Sequence, residues 1–275
     1  MPHKEQCVKF SEYGNKGGQA VVYFHGAPGA VEECCIFDDY AKKHNLEVFC
    51  FDRFTLDNAL SRESYYQQLA SEIKLKANGQ AVDVIGFSIG AHVALEVSAL
   101  LSGQVRQIHL VSAAAPINAG AFLDNMAGGL VFKLAMKRPF FFSLLSHFQK
   151  VMAFVAPTML VKMLFASAAG EDKQLSEMAE FKGFITPILK HCFQNCIQGY
   201  MRDIRLYTGW RGELSTYTNH VQLWHGTKDN WSPLSMASYL RSEIPGAVSI
   251  QEMEGLSHYS CLIQAVPKIC EQLGR

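Results

Sequence analysis

Short apolar runs alternate along the chain with longer segments whose apolar residues recur at helical spacing. The runs AVVYFHG (20–26), LEVFCFD (46–52), AVDVIGFS (81–88), VRQIHLVSAA (105–114), HVQLWHG (220–226) and AVSIQEMEG (247–255) read as strands. Between them, SRESYYQQLASEIKLKANG (61–79) reads as a helix, with Ser61 as its N-cap and Gly79 past its end. IGAHVALEVSALLSG (89–103), PLSMASYLRSEI (233–244) and YSCLIQAVPKICEQLG (259–274) read as further helices. Apolar strands separated by helices predict βαβ units. The expected fold is therefore α/β, a mostly parallel sheet with helices on both faces.

The alternation lapses between about 116 and 206. That stretch keeps a helical period and is punctuated by Pro139, Pro157, Gly170, Gly183, Pro187 and Gly199. It is too long for a structureless loop in a compact domain. The pattern predicts a core domain from 1–115 and 207–275, with a helical cap, or lid, inserted at 116–206.

Composition narrows the function classes. A length of 275 residues fits one large domain or two small ones. The 25 Lys and Arg balance 25 Asp and Glu, so the basic excess with which nucleic-acid binders neutralise phosphate is missing. The eight cysteines (Cys7, Cys34, Cys35, Cys50, Cys192, Cys196, Cys261, Cys270) are scattered and form no recognisable disulfide framework. The opening MPHKEQCVKF lacks the apolar run of a secretory leader, and no stretch approaches the ~20 apolar residues of a spanning helix. A soluble, reduced, cytoplasmic protein is the expectation.

Four motifs carry chemistry. Gly86-Phe87-Ser88-Ile89-Gly90 is G-x-S-x-G, placed after one predicted strand and opening a predicted helix. Such a turn presents the Ser88 hydroxyl above the sheet, at a helix N-terminus that favours developing negative charge. His25-Gly26-Ala27-Pro28-Gly29 follows an early strand. Its small residues let a backbone N–H approach a ligand, so Ala27 and Ile89 are the candidate oxyanion donors. His225-Gly226-Thr227-Lys228-Asp229 puts a carboxylate just past another strand. Gly255-Leu256-Ser257-His258-Tyr259 puts an imidazole between the last strand and the last helix.

From about residue 8 to 274, the order Ser88, Asp229, His258 and the early HG motif resemble the α/β-hydrolase fold superfamily, esterase-like serine hydrolases with a helical cap. The resemblance implies Ser88 as nucleophile, His258 as general base and Asp229 as the acid that orients it. Elementary chemistry agrees. A serine hydroxyl is a weak nucleophile until an imidazole takes its proton, and the imidazole needs a carboxylate to fix its tautomer. The alternative place for the acid, Val111-Ser112-Ala113-Ala114-Ala115, holds no carboxylate. Serine at 88 excludes the dehalogenases and epoxide hydrolases of this fold, which attack with Asp. One departure is Asp52-Arg53-Phe54-Thr55-Leu56, which keeps the Asp-Arg of the family's D-R-P-G-x-G-x-S segment but not its Pro and Gly turn.

The expected activity is hydrolysis of a carboxylic ester with an apolar part, through an acyl-enzyme and without a cofactor. The partner would be a small-molecule ester or thioester. Three alternatives share the fold. A thioesterase would use the same triad. An aminopeptidase would need an acidic pocket, for which Glu171, Glu177 and Glu180 are the candidates. A signalling protein would keep the triad to hold a ligand. Cys192 and Cys196 beside His191 have helical spacing but no second ligand pair, so helix packing is preferred to a metal site. His109 reads as a core residue and Cys34-Cys35 as oxidisable thiols near the HG loop.

Residues 117–206 hold 11 of the 18 Phe and 7 of the 10 Met. From Asn125 to Gly170 there are five basic residues, Lys133, Lys137, Arg138, Lys150 and Lys162, and no acid. Packing against the core is the first expectation for this composition. An acyl-chain pocket and a lipid-contact surface are the others.

Overall fold

Strands β1 (Phe10–Gly14), β2 (Gln19–Phe24), β3 (Leu46–Phe51), β4 (Val82–Phe87), β5 (Val105–Val111), β6 (His220–Gly226) and β7 (Ala247–Met253) form one sheet in the order β1-β3-β2-β4-β5-β6-β7. The computed structural model that shows this describes residues 8–101 and 103–275, with only the backbone at 247–248. Cys7 and most of the segment read for a leader lie outside the described residues. β1 pairs antiparallel with β3 and every other neighbour pair is parallel. β4 is buried along its whole length, with its one carboxylate, Asp83, paired to Arg106.

The helices of the core are α1 (Asp38–Lys43), α2 (Arg62–Ala77), α3 (Gly90–Leu100), α10 (Leu234–Glu243) and α11 (His258–Leu273). Between β5 and β6 the chain runs through α4 (Gly129–Lys137), α5 (Pro139–Val155), α6 (Pro157–Leu164), α7 (Asp172–Leu175), α8 (Ala179–Lys190) and α9 (Ile197–Thr208). Ser61 does cap α2, its hydroxyl accepting from Ser64 N at 3.1 Å, and Asn78 in the left-handed region ends that helix. Among the described residues no helix is long and apolar enough to cross a membrane.

The expected breaks in the insertion divide into two kinds. Pro139 and Pro157 each occupy the first position of a helix, where a missing N–H costs nothing, and Gly170 turns with φ 52°. Gly183 and Pro187 lie inside α8, and Gly199 lies inside α9. Gly199 serves packing: a Cβ there would stand 2.0 Å from the carbonyl oxygen of Phe54. The strand expected over 105–114 stops at Val111, because Ser112 turns with φ 46°.

α5 is inside out. The stripe it buries is Phe142, Ser146, Gln149 and Ala153, three of them small or polar. Phe140 (74% exposed), Phe154 (76%), Val155 (64%), Phe141, Leu144, Phe148 and Val151 face outward, and Met159 and Met163 of α6 continue that surface. The Phe and Met of the insertion therefore serve three ends. Phe142, Phe165, Phe181 and Phe193 are core, Met126 and Phe132 line a cavity, Met163 both lines that cavity and reaches the outer surface, and the rest of this face is exposed.

Candidate active site

Ser88 sits where β4 gives way to α3, with a left-handed backbone (φ 56°). A non-glycine residue held there costs about 1–3 kcal/mol and persists only when its surroundings over-determine it. Ser88 N donates to Val111 O at 3.0 Å, and Ser88 O accepts from Ala91 N and Ala114 N, each at 3.1 Å. The flanking glycines let the turn close. A Cβ on Gly90 would stand 2.1 Å from Phe24 O, and one on Gly86 would stand 2.7 Å from Ala91 Cα.

Asp229 lies in the loop after β6 and is buried. Its Oδ1 accepts from Trp231 N at 2.8 Å and Ser232 N at 3.0 Å, and its Oδ2 meets His258 Nδ1 at 2.8 Å. Burial pushes the Asp229 carboxyl up. The facing His258 charge and hydrogen bond, helped by His225 and the Ser232 N–H, outweigh burial and hold it below its ordinary value. His258 opens α11 with its ring between Phe87 (centroids 4.8 Å) and Trp231 (5.6 Å, planes 15° apart). Its backbone is also fixed: Ser112 Oγ donates to His258 O at 3.2 Å. Asp172, from the insertion, accepts from Tyr259 N at 2.9 Å and Ser260 N at 2.7 Å at the start of α11.

A cavity of about 150 Å³ is lined by Ser88, Ala27 and Ile89 together with Met126, Phe132, Met163, Tyr200, Ile204 and Trp231. The N–H groups of Ala27 and Ile89 donate to no protein acceptor among the described residues. The structure thus joins Asp229 to His258 and gathers Ser88, Ala27 and Ile89 at one cavity. Ser88 Oγ makes no hydrogen bond to a protein group among the described residues, so the bond to His258 expected of a triad is not made in this conformation. Residues 112–114 couple the two sides, because Ala114 holds the Ser88 carbonyl and Ser112 holds that of His258.

Sequence reasoning missed the support beneath this site. Buried Arg53 donates through Nη2 to His25 O at 2.9 Å and Gly26 O at 3.3 Å, and through Nε to Asp203 of α9. The surviving Asp-Arg pair was the visible signal, but its partner lies 150 positions away. Glu33, beneath the same loop, accepts from the Tyr23 hydroxyl at 2.5 Å and from Gly26 N at 3.4 Å. Glu171, Glu177 and Glu180 do not line the cavity, so the acidic pocket of an aminopeptidase is not built there. His109 is in the core, accepting from Trp224 Nε1 at 3.1 Å. Burial drives its imidazole down to about 4. Cys34 is buried and Cys35 exposed. Cys192 packs in the core as expected, whereas Cys196 faces Asp52 and His191.

A family profile described as lipid-droplet associated hydrolase matches residues 52–261. No curated protein matches the chain. Among solved structures, an esterase from Exiguobacterium antarcticum is similar at 19% identity and a TM-score of 0.67, covering 97% of this chain and 93% of its own. An α/β-hydrolase fold protein from Nakamurella multipartita is similar at 16% identity and 0.66, covering 97% and 95%. A bromoperoxidase from Bacillus anthracis is similar at 14% and 0.67, covering 96% and 92%. At these identities the likeness is one of fold.

Proposed function

The chain belongs to the lipid-droplet associated hydrolases, within the α/β-hydrolase superfamily, and we propose that it is a serine hydrolase that cleaves carboxylic esters at a lipid surface. The observation that carries the chemistry is a left-handed Ser88 standing across residues 112–114 from the His258–Asp229 pair. In this reading Ser88 Oγ attacks the ester carbonyl while His258 Nε2 takes its proton. Asp229 holds the other nitrogen as N–H and stabilises the imidazolium. The developing oxyanion is met by the N–H groups of Ala27 and Ile89. His258 returns the proton to the leaving alcohol, then activates the water that releases the acid.

The cavity shapes the substrate. In another protein, an apolar void of ~150 Å³ takes one benzene-sized molecule, so the space above Ser88 suits an acyl part of about six carbons. Two of the residues that line it carry polar atoms closed off from solvent. Gln149 Oε1 and Trp231 Nε1 are buried without a hydrogen-bond partner among the described residues. A buried unpaired polar group costs about 1–3 kcal/mol.

The insertion acts as a cap, with the apolar face of α5 and α6 resting on lipid. Large apolar patches on a monomer mark contact surfaces. The same segment carries exposed Lys137, Arg138, Lys150 and Lys162, with no acid from Asn125 to Gly170, which suits anionic headgroups. A fluorophosphonate probe should label Ser88, and Ser88→Ala should abolish labelling and lower ester hydrolysis by roughly 10⁴-fold or more. An adduct on another residue would overturn the assignment. Phe148→Ser with Phe154→Ser should lose flotation with phosphatidylserine-containing vesicles while keeping hydrolysis of a dissolved short-chain ester. Unchanged flotation would remove the lipid-contact reading alone.

A further inference from the structure

We propose that Asp52, His191 and Cys196 bind one zinc-like divalent cation at the seam between the core and the insertion, with Glu32 as the carboxylate that orients His191. The three donor atoms come from separate places: Asp52 from the end of β3, His191 from the end of α8, and Cys196 from the start of α9. They lie within 4.8 Å of one another.

Local structure explains the convergence. Between α8 and α9 the chain makes one π-helical turn, His191–Asn195, with Cys196 N donating to His191 O at 3.2 Å. A π turn aligns residues i and i+5 on one face, so the imidazole and the thiol point the same way. Sequence spacing alone had paired Cys192 with Cys196, as an ordinary α-helix would. The extra residue in the turn replaces Cys192 with His191 on that face and leaves Cys192 in the core.

The spacing of the donors leaves room for a cation among them. Glu32 Oε1 stands 2.6 Å from His191 Nδ1. A carboxylate on Nδ1 is the outer partner that metal-binding histidines have, and a cation would take Nε2 in place of its proton. His191 Nε2 faces Asp52 Oδ2 at 3.6 Å, beyond hydrogen-bond range. Two ligands of one tetrahedral zinc lie about 3.3–3.8 Å apart, given metal–ligand bonds of ~2.0–2.3 Å. Asp52 is buried and its carboxylate takes no closer partner among the described residues. Glu32 Oε2 is likewise buried with no hydrogen-bond partner there. One N, one S and one O donor form the mixed set that a borderline-soft divalent ion takes. A groove of about 460 Å³ lined by Phe54, His147 and Lys150 reaches Cys196 from solvent.

Binding would use the thiolate of Cys196, the carboxylate of Asp52 and neutral His191. The thiol proton, and any proton held on Nε2, would pass to solvent with no change of oxidation state. Water would complete the fourth position. The ion would fasten the end of β3 to the α8–α9 junction, one residue before Arg53.

The test is a cobalt(II) titration of the full chain, reduced and stripped of metal, read by absorbance. One equivalent should give a thiolate-to-cobalt charge-transfer band in the near ultraviolet with visible bands of low-symmetry cobalt, and zinc should displace both. Cys196→Ser should abolish the charge-transfer band, while Cys192→Ser and Cys35→Ser keep it. Glu32→Gln should weaken cobalt binding about 10–100-fold, as outer carboxylates do. Should Cys196→Ser fail to fold, Asp52→Asn must weaken cobalt binding at least as much as Glu32→Gln. A folded chain with no thiolate band overturns the proposal and leaves a proton-held ion network. So does a band that survives in Cys196→Ser, or cobalt affinity indifferent to both carboxylate changes.

Discussion

Arg53 Nε donates to Asp203 Oδ2 at 2.7 Å, with both side chains removed from water. The Tyr65 hydroxyl adds a bond to Asp203 Oδ1 at 3.1 Å. The other end of the guanidinium rests on the carbonyls of His25 and Gly26. The Gly26 carbonyl belongs to the same peptide unit as the Ala27 N–H. Holding that oxygen fixes the direction in which the proposed oxyanion donor points. The ion pair thus links α9 of the insertion to the orientation of one peptide plane at the cavity.

Removing one member strands a buried charge. Arg53→Met should destabilise the protein by about 3–5 kcal/mol. The double variant Arg53→Met with Asp203→Leu should recover much of that loss, because no charge is then left unpaired. Urea unfolding of the three chains gives the coupling. Additive losses would show that the pair acts as two separate residues.

Asp229→Asn should fold as the parent does and lose about 10⁴-fold in kcat, because the amide favours the wrong imidazole tautomer. Steady-state kinetics beside a thermal melt separate chemistry from stability. Near-parental turnover would mean that another carboxylate serves His258.

Glu33 should make stability fall with rising pH. Burial pushes its carboxyl up to about 7, despite the Tyr23 and Gly26 hydrogen bonds and the Arg53 charge that lower it. The ordinary value is near 4.5, so the folded chain holds the proton more tightly than the unfolded one. The resulting stability is fully present below about pH 4.5 and is lost as pH rises through about 7. Between pH 5 and 8 the loss should be about 2–3 kcal/mol. Glu33→Gln should remove that share of the slope in denaturant titrations at the two pH values. An unchanged slope would place the ionisation elsewhere.

Substrate preference should follow the cavity. Each buried CH₂ contributes up to ~0.8 kcal/mol, so kcat/KM should climb a few-fold per carbon from two to about six and then level off. A flat series from two to six carbons would return Met126, Phe132 and Met163 to packing alone.

Some of this was written plainly in the chain. The β4–Ser88–α3 turn was legible because an apolar run, two small residues and a helical period must meet there for any side chain to stand proud of the sheet. Asp229 and His258 stood out by their places after strands and by the chain order of the family they resemble, and the structure pairs them at 2.8 Å. Other features were not, for physical reasons. Asp172 caps α11 from 87 positions away, and no local pattern marks a cap supplied through space. Gly199 looks like a helix breaker in sequence, yet its role is the close approach to Phe54. α5 is apolar nearly all round, so periodicity cannot say which stripe faces in. Only the contacts settle that the thinner, more polar stripe is the buried one.

The contact at Gly199 has a mechanical meaning. Phe54 O occupies the place where a side chain would be, so α9 meets the end of β3 backbone to backbone. Arg202, three residues on, donates to the Arg53 carbonyl and to that of Leu56 at 2.8 Å. A joint with neither spacer nor side-chain slack does not slide. Tyr200 and Ile204 on that helix are therefore the stationary jaw of the cavity, and room for a longer substrate must come from the opposite jaw, α4 to α6. That jaw presents its apolar side outward, so whatever it rests on touches the helices that would have to give way. Amide exchange should be slow along α9 and faster along α4 to α6, and lipid should alter only the latter.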